Sequence, residues 1–290
     1  MSFKNLSIAK LVIGLIVLFA FSCKDEDPNA QFNNEVRAID DYLTAHVTDP
    51  VLYDQSGMRI VLKTTGNNPP PHAGQNIKLT YTAKLFSDNS VFASGLYNDK
   101  LENVFTQGLK YSLTALMSGS EATFYIPSMY AYGEEGTTGV PGNSVIVYDV
   151  KLEEVTRTAA EQTQFMVDTA AIHNYLKANP SLGNGAVQHP SGVWYKIDAP
   201  GTGNFPTPYS NVSFKYKGTV MSNGSVFDDS SLSTNVFALI DGLKVGIPNI
   251  RDGASANFYI PSGLGYGTQG SSKIPANANL IFSVQLNSIQ

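Results

Sequence analysis

The apolar positions of this chain switch between two spacings. From Glu35 to His46 they fall at Val36, Ile39, Tyr42 and Leu43, the stripe of an amphipathic helix. A second helical segment is predicted from Gln162 to Ala178, and Asn179-Pro180 ends it, because proline disfavours helical geometry in the residue before it. Short β-branched and aromatic runs bounded by Gly, Pro, Asn and Ser predict strands. Among them are Gly57 to Lys63, Asn76 to Phe86, Glu121 to Pro127 and Ser144 to Val155, each with a later counterpart. Pro69-Pro70-Pro71 and Phe205-Pro206-Thr207-Pro208 predict turns or stiff connectors.

These elements occur twice. Ile39-Asp40-Asp41-Tyr42-Leu43 returns as Ile172-His173-Asn174-Tyr175-Leu176, and Phe124-Tyr125-Ile126-Pro127-Ser128 returns unchanged as Phe258-Tyr259-Ile260-Pro261-Ser262. Ser56-Gly57 recurs at Ser191-Gly192, Ser90-Val91-Phe92 at Ser225-Val226-Phe227, and Tyr132-Gly133 at Tyr266-Gly267. A period this long, with its own helix and strands inside, means duplicated domains and not a solenoid of small units. The junction is expected near Thr156 to Ala160. The organisation read here is a leader over 1–22, an acidic tether over 23–34, repeat one over 35–157 and repeat two over 158–290. Each copy is expected to fold alone.

The leader changes the picture of where the protein works. Lys4 and Lys10 precede the apolar run Leu11 to Phe21, which is short for a bilayer span and reads as an export signal. The single cysteine, Cys23, stands where that run ends, and Ala20-Phe21-Ser22-Cys23 resembles a lipobox with a bulky Phe21. A diacylated Cys23 would tether the protein to a membrane, since two acyl chains anchor stably where one does not. The alternatives are an uncleaved anchor or an ordinary signal with a chance cysteine. Lys24-Asp25-Glu26-Asp27 is similar to the acidic tract that directs some Gram-negative lipoproteins to the outer face of the outer membrane; a solvated charge run is the other reading. The expected location is the bacterial cell envelope.

Charge and residue types exclude several kinds of chemistry. A net charge of -5 with scattered Lys and Arg leaves no basic stripe for nucleic acid. One cysteine allows neither an intramolecular disulfide nor a thiolate metal cluster. His46, His72, His173 and His189 lack neighbouring ligands at metal spacing and read as surface or helix histidines, so no metal is expected. Asp40-Asp41 and Glu134-Glu135 read as solvated charges. Gly265-Tyr266-Gly267-Thr268-Gln269-Gly270 has the spacing of a dinucleotide fingerprint, but Ile274-Pro275 follows and no helix can open there. No cofactor is predicted.

Repeat two contains an ordered series of motifs. It reads Val212-Ser213-Phe214-Lys215-Tyr216-Lys217-Gly218, Gly224-Ser225-Val226-Phe227-Asp228-Asp229-Ser230, Ile240-Asp241-Gly242-Leu243, Gly253, Ile260-Pro261, Leu264-Gly265-Tyr266-Gly267, Ile274-Pro275-Ala276-Asn277, and Leu280-Ile281-Phe282-Ser283-Val284-Gln285-Leu286. This series resembles the FKBP-type prolyl isomerases over about the last hundred residues of each repeat. The resemblance implies an α+β fold, an antiparallel sheet curled round one short helix with an apolar pocket between them, each copy preceded by its N-terminal helix. It places Tyr216, Phe227, Asp228, Leu239, Ile240, Leu243, Tyr266, Ile274 and Phe282 at the pocket. It also implies that the Tyr266 hydroxyl and the Ile240 backbone N–H meet substrate carbonyls. Phe214 and Phe258 read as core, and Asp228 has the alternative reading of a turn-capping carboxylate.

Such a pocket fits the chemistry of the prolyl amide, whose resonance sets a cis/trans barrier of about 20 kcal/mol. The planar amide is dipolar and well solvated, and the twisted transition state less so, so an apolar pocket disfavours the former. Lowering the barrier by about 5.5 kcal/mol gives a rate increase of roughly 10⁴ without nucleophile, metal or proton transfer. The implied substrates are proline-containing polypeptides.

Departures from the family pattern bear on both copies. Leu109 and Leu243 stand where the family usually has Trp at the pocket floor, and Pro248 falls within the short helix of repeat two. Repeat one keeps Tyr81, Phe92, Phe105, Leu109, Tyr132, Val140 and Tyr148, but Ala93 replaces Asp228 and Thr106 replaces Ile240. Repeat one therefore reads as the degenerate copy, kept for binding or dimerisation. The leading expectation is an isomerase acting on Xaa-Pro bonds of exported proteins. The alternatives are a non-catalytic peptide-binding or chaperone module, and a partner subunit of a surface nutrient-capture system.

Overall fold

A computed structural model describes residues 27–290. The leader and Cys23 lie outside the described residues. Repeat one contains α1 (Ala30–His46), β1 (Val51–Tyr53), β2 (Arg59–Thr64), β3 (Asn76–Leu85), β4 (Val91–Lys100), α2 (Gln107–Thr114), β5 (Glu121–Ile126) and β6 (Ile146–Thr156). Repeat two contains α3 (Ala159–Ala178), α4 (Pro180–Gly183), β7 (Val187–Gln188), β8 (Trp194–Ala199), β9 (Asn211–Val220), β10 (Val226–Asn235), α5 (Asp241–Gly246), β11 (Ser255–Ile260) and β12 (Leu280–Ile289). Each repeat forms one six-stranded antiparallel sheet, ordered β1-β2-β5-β6-β3-β4 and β7-β8-β11-β12-β9-β10. The two copies thus share one α+β topology.

Both faces of each sheet are covered, so the central strands are apolar on both sides. In repeat one, Phe124, Tyr148 and Leu79 pack against Leu109 and Leu113 of α2. On the other face Val61, Tyr125 and Val147 pack against Ile39 and Leu43 of α1. Repeat two does the same, with Leu243 of α5 against Phe258 and Phe282, and Ile172 and Leu176 of α3 against Tyr259. Phe214 and Phe258 are fully buried, as core residues should be.

Both N-terminal helices begin earlier than the hydrophobic spacing indicates. Helix α1 starts at Ala30 because Asp27 holds its first turn, taking the Asn29 N–H and the Asn33 amide, each at 2.9 Å. The expected tether therefore ends in helix. Helix α3 starts at Ala159 behind a capping box, in which Thr158 Oγ1 accepts the Glu161 N–H and the Glu161 carboxylate accepts the Thr158 N–H. Asp40 is not a solvated charge, since it forms a two-point ion pair with the buried Arg59 at 2.7 and 2.9 Å. His189 is likewise buried, beside Ser191, and not at the surface.

Each N-terminal helix also sends one carboxylate through to the turn after the fifth strand of its sheet. Glu35 is buried and accepts the Ser128 N–H at 2.8 Å, the Ser128 hydroxyl at 2.7 Å and the Gln31 amide at 2.7 Å. Asp168 is buried and accepts the Ser262 N–H at 2.9 Å, the Ser262 hydroxyl at 2.6 Å and the Gln164 amide at 2.8 Å. Neither carboxylate has a cation partner among the described residues. Hydrogen bonds alone compensate the buried charge.

The repeats meet at a joint. Met117, just after α2, is fully buried in the core of repeat two. Its N–H donates to the Tyr209 hydroxyl at 3.2 Å, which in turn donates to the Ala115 carbonyl at 3.1 Å. Nearby His72 Nε2 contacts Asp241 Oδ2 at 2.5 Å, and Lys244 Nζ donates to Asp241 Oδ1 at 2.8 Å. The Asp241 hydrogen bond holds the His72 pKa above its ordinary value against the opposing effect of burial; Lys244 lowers it and Glu161 raises it. Burial pushes the Asp241 carboxyl up, but His72 and Lys244 together pull it below the usual range.

A histidine with a raised folded-state pKa contributes stability that is full below its unfolded value, 6.5, and is lost as pH rises through the folded value. The melting temperature of the whole chain is expected to fall between about pH 6 and about pH 8 by more than that of His72→Ala. Identical pH dependence in the two proteins would remove His72 from the joint's energetics.

Candidate functional site

The pocket of repeat two is built on β9, β10 and β12. Tyr216 lies on β9 between Ser230 of β10 and Val284 of β12. The β9–β10 register jumps between Val226, opposite Thr219, and Asp228, opposite Gly218, leaving Phe227 as an unpaired bulge residue. A bulge re-aims its side chain, and here the Phe227 ring turns inward and is buried. It lies over Gly218, where a Cβ would come within 2.3 Å of the ring. Phe282 of β12 is the other neighbour of Gly218.

These rings pack as a box. Phe227 meets Phe282 at 5.5 Å and 70°, and Tyr266 at 6.4 Å and 77°, both edge to face; Tyr216 meets Phe282 at 5.9 Å and 36°. Leu243 and Ile274 are buried in the same core, against which Leu239 and Ile240 are half-buried. Ile240 precedes α5, and its carbonyl accepts the N–H groups of Leu243 and Lys244. Its own N–H donates to no acceptor among the described residues.

One carboxylate adjoins the box. Asp228 accepts the Tyr216 hydroxyl at 2.5 Å and the Ser230 hydroxyl at 3.3 Å. The Tyr216 bond holds the exposed Asp228 carboxyl below its usual range. Burial, followed by the Asp228 bond, pushes the Tyr216 phenol up, and burial, followed by the Asp228 charge, does the same to Tyr266. Both phenols are therefore neutral donors near pH 7. Tyr266 is 37% exposed and stands on the turn held by Asp168, where the Gly267 N–H donates back to the Ser262 carbonyl at 2.9 Å. Of the nine residues that the resemblance implies for repeat two, the rings of Tyr216, Phe227, Tyr266 and Phe282 meet one another, Asp228 bonds Tyr216, and Leu239, Ile240, Leu243 and Ile274 belong to the same core.

Pro248 reshapes the helix below this pocket. Helix α5 stops at Gly246, and Ile247–Asn249 continues as a 3₁₀ turn with Pro248 near its start; α2 runs unbroken over Gln107–Thr114. Repeat one differs in the pocket itself. Phe92 is again the bulge residue and meets Tyr132 at 6.0 Å and 81°, but Ala83 stands opposite where repeat two has Gly218, and Phe92 is only half-buried. Thr106 caps α2 by accepting the Leu109 N–H at 3.3 Å. Leu109, Val140 and Tyr148 are buried; Phe105, 47% exposed, lies between Tyr81 at 5.1 Å and Tyr97 at 5.4 Å.

Comparison with known proteins identifies the family. The sequence model of the FKBP-type peptidyl-prolyl cis-trans isomerases matches residues 68–153 and 203–287, more than half of the chain. The chain belongs to this family. Similar relatives include an FKBP-type peptidyl-prolyl cis-trans isomerase FkpA of Aeromonas hydrophila, 32% identical over 49% of this chain and 54% of the relative. A probable FkpA of Neisseria meningitidis serogroup B is 36% identical over 39% of this chain and 43% of the relative. The chain thus spans about half the length of these curated relatives. The crystal structure of FkpA from Escherichia coli aligns with a TM-score of 0.39 at 28% identity, over 46% of this chain and 63% of that one.

Sequence reasoning missed three residues that shape this family member's sites: Gly218, Asp168 and Glu35. The contrast of Tyr216-Lys217-Gly218 with Tyr81-Thr82-Ala83 was the available signal for the first. Gly218→Ala is expected to cost about 1–3 kcal/mol by overpacking against Phe227. Ala83→Gly, which relieves no such contact, should shift the denaturant midpoint of the chain by less. Equal destabilisation at both positions would show that the glycine does not make room for the ring.

Proposed function

We propose that repeat two catalyses cis/trans isomerisation of Xaa-Pro bonds in exported or envelope polypeptides. The observation that carries this reading is the run of rings Tyr216, Phe282, Phe227 and Tyr266 in contact along the core that holds Leu243, with Asp228 engaging Tyr216 at its edge. A prolyl ring set in the box leaves water, which weakens the solvation of its planar amide more than that of the twisted form. The Tyr266 phenol and the unengaged Ile240 N–H offer donors to the carbonyls on either side and hold the twist. Asp228 fixes the Tyr216 ring through its hydroxyl. The family match and the relatives' names support the same reaction class.

The location follows the leader: Cys23, lipid-modified, anchors the protein in the bacterial envelope. Incorporation of a labelled fatty acid is expected in the natural protein and lost in Cys23→Ala; continued labelling of that variant would rule out this anchor. A second reading applies to repeat one, where Ala93 and Tyr148 in place of Asp228 and Phe282 favour binding without turnover.

Proline-limited refolding of a test substrate measures the activity of the whole chain. Tyr266→Phe is expected to slow catalysis several-fold, about 1 kcal/mol for one hydrogen bond, and Tyr132→Phe to leave it unchanged. Leu243→Trp should raise it by restoring a broad platform beneath the ring. If the chain gives no acceleration and Leu243→Trp restores none, the isomerase reading is wrong and the binding module replaces it.

A further inference from the structure

An open groove of about 590 Å³ lies between the two repeats. One wall belongs to repeat one, with Pro69, Pro70 and Val155, and the other to repeat two, with Phe165, Pro261 and Leu264. The walls are tied to each other by the His72–Asp241 contact and by the buried Gln75, whose amide donates to the Glu161 carboxylate at 3.2 Å. The space is therefore formed before anything enters it. Its size falls within the roughly 300–1,000 Å³ of sites that bury most of a bound ligand, and such sites favour domain interfaces.

Arg157 lines this groove with donors to spare. Its guanidinium is half-buried, lies 3.7 Å from the centre of the Phe165 ring, and donates from Nη2 to the Ser191 carbonyl at 3.1 Å. Among the described residues it has no other hydrogen bond and no carboxylate at ion-pairing distance. A guanidinium carries five N–H groups, so most of them are unused. Glu153, Glu154 and Glu161 line the same space, which disfavours an anion there. The ligand that fits presents uncharged carbonyls at regular intervals with apolar groups between them, and an extended polypeptide does so.

One end of the groove lies next in sequence to the pocket of repeat two. Asp241 lines the groove and follows Ile240; Gly267 and Thr268 line it and follow Tyr266. The two donors offered to the carbonyls beside a proline are thus one residue, about 3.8 Å along the backbone, from the groove. We propose that the groove holds the stretch of client chain flanking the isomerised proline, so that repeat one forms a wall of the substrate site of repeat two. This rests on the reading that the pocket of repeat two takes proline. Contacts so far from the twisting bond hold the ground state and the transition state alike, and therefore lower KM without changing kcat.

The test compares two blocked peptides as substrates of the full chain: an alanine tetrapeptide with proline at the third position, and the same core extended at each end by Leu-Ser-Leu-Ser. The long peptide is expected to have a KM roughly tenfold lower at unchanged kcat. Glu154→Trp and Ala160→Trp each place an indole in the groove from an exposed position, the first on the wall of repeat one and the second on that of repeat two. Each should return the KM of the long peptide to that of the short one. Ala170→Trp, also exposed on α3 but outside the groove, should leave the difference intact. The proposal is overturned if the two peptides share one KM in the natural chain, if the difference survives either groove variant, or if Ala170→Trp removes it as well. Failure of the isomerase reading shows separately, as acceleration with neither peptide, and takes the proposal with it.

Discussion

Asp168 and Glu35 connect the two faces of their sheets. Each belongs to a helix packed on the side away from the pocket, yet its carboxylate ends on the serine that starts the turn carrying the pocket tyrosine. A buried anion that relies on hydrogen bonds alone is stable only while every donor stays in place. Removing the carboxylate strands the serine N–H and hydroxyl; removing the serine strands the charge. The position of Tyr132 or Tyr266 therefore depends on a helix packed on the opposite face of the sheet.

That arrangement explains how two pockets diverged on one scaffold. The sheet order, the bulge at Phe92 and Phe227, the helix cover and the carboxylate clasp are the same in both copies. Apart from the pocket helix broken at Pro248 in repeat two, what differs are side chains on these elements, notably Ala83 against Gly218, Ala93 against Asp228, Thr106 against Ile240 and Tyr148 against Phe282. None of these alters a backbone hydrogen bond of the ladder. A fold stabilised from outside the pocket leaves the pocket free to change.

Much of this was legible in the chain beforehand. The duplication and the central strands follow from the ordered motifs, and the rings that meet in repeat two lie within the motifs that carry the family resemblance. The starts of α1 and α3 were misplaced for a specific reason: hydrophobic spacing marks where a helix packs, and caps mark where it begins. Thr158 and Glu161 had the capping-box spacing, whereas Asp27 sits in an acidic run that reads as free charge. Asp168, Glu35 and the His72–Asp241 contact join residues far apart in sequence, and a lone Asp, Glu or His looks the same whether it is solvated or buried. Gly218 was visible only as a letter in a motif; its purpose needs the ring above it.

The joint through Met117 and Tyr209 gives the paired domains a property that neither has alone. Tyr209 stacks on Phe237 at 5.2 Å, two residues before Leu239 at the edge of the second pocket, while Met117 follows the helix that floors the first. The span between the pockets is thereby set by packed side chains and not by a loose linker. Were both pockets to take polypeptide, as proposed for the second, a chain held at one would meet the other as an intramolecular neighbour, at an effective concentration determined by its own loop length. Successive prolines on such a chain would then reach the second pocket without a return to bulk solution.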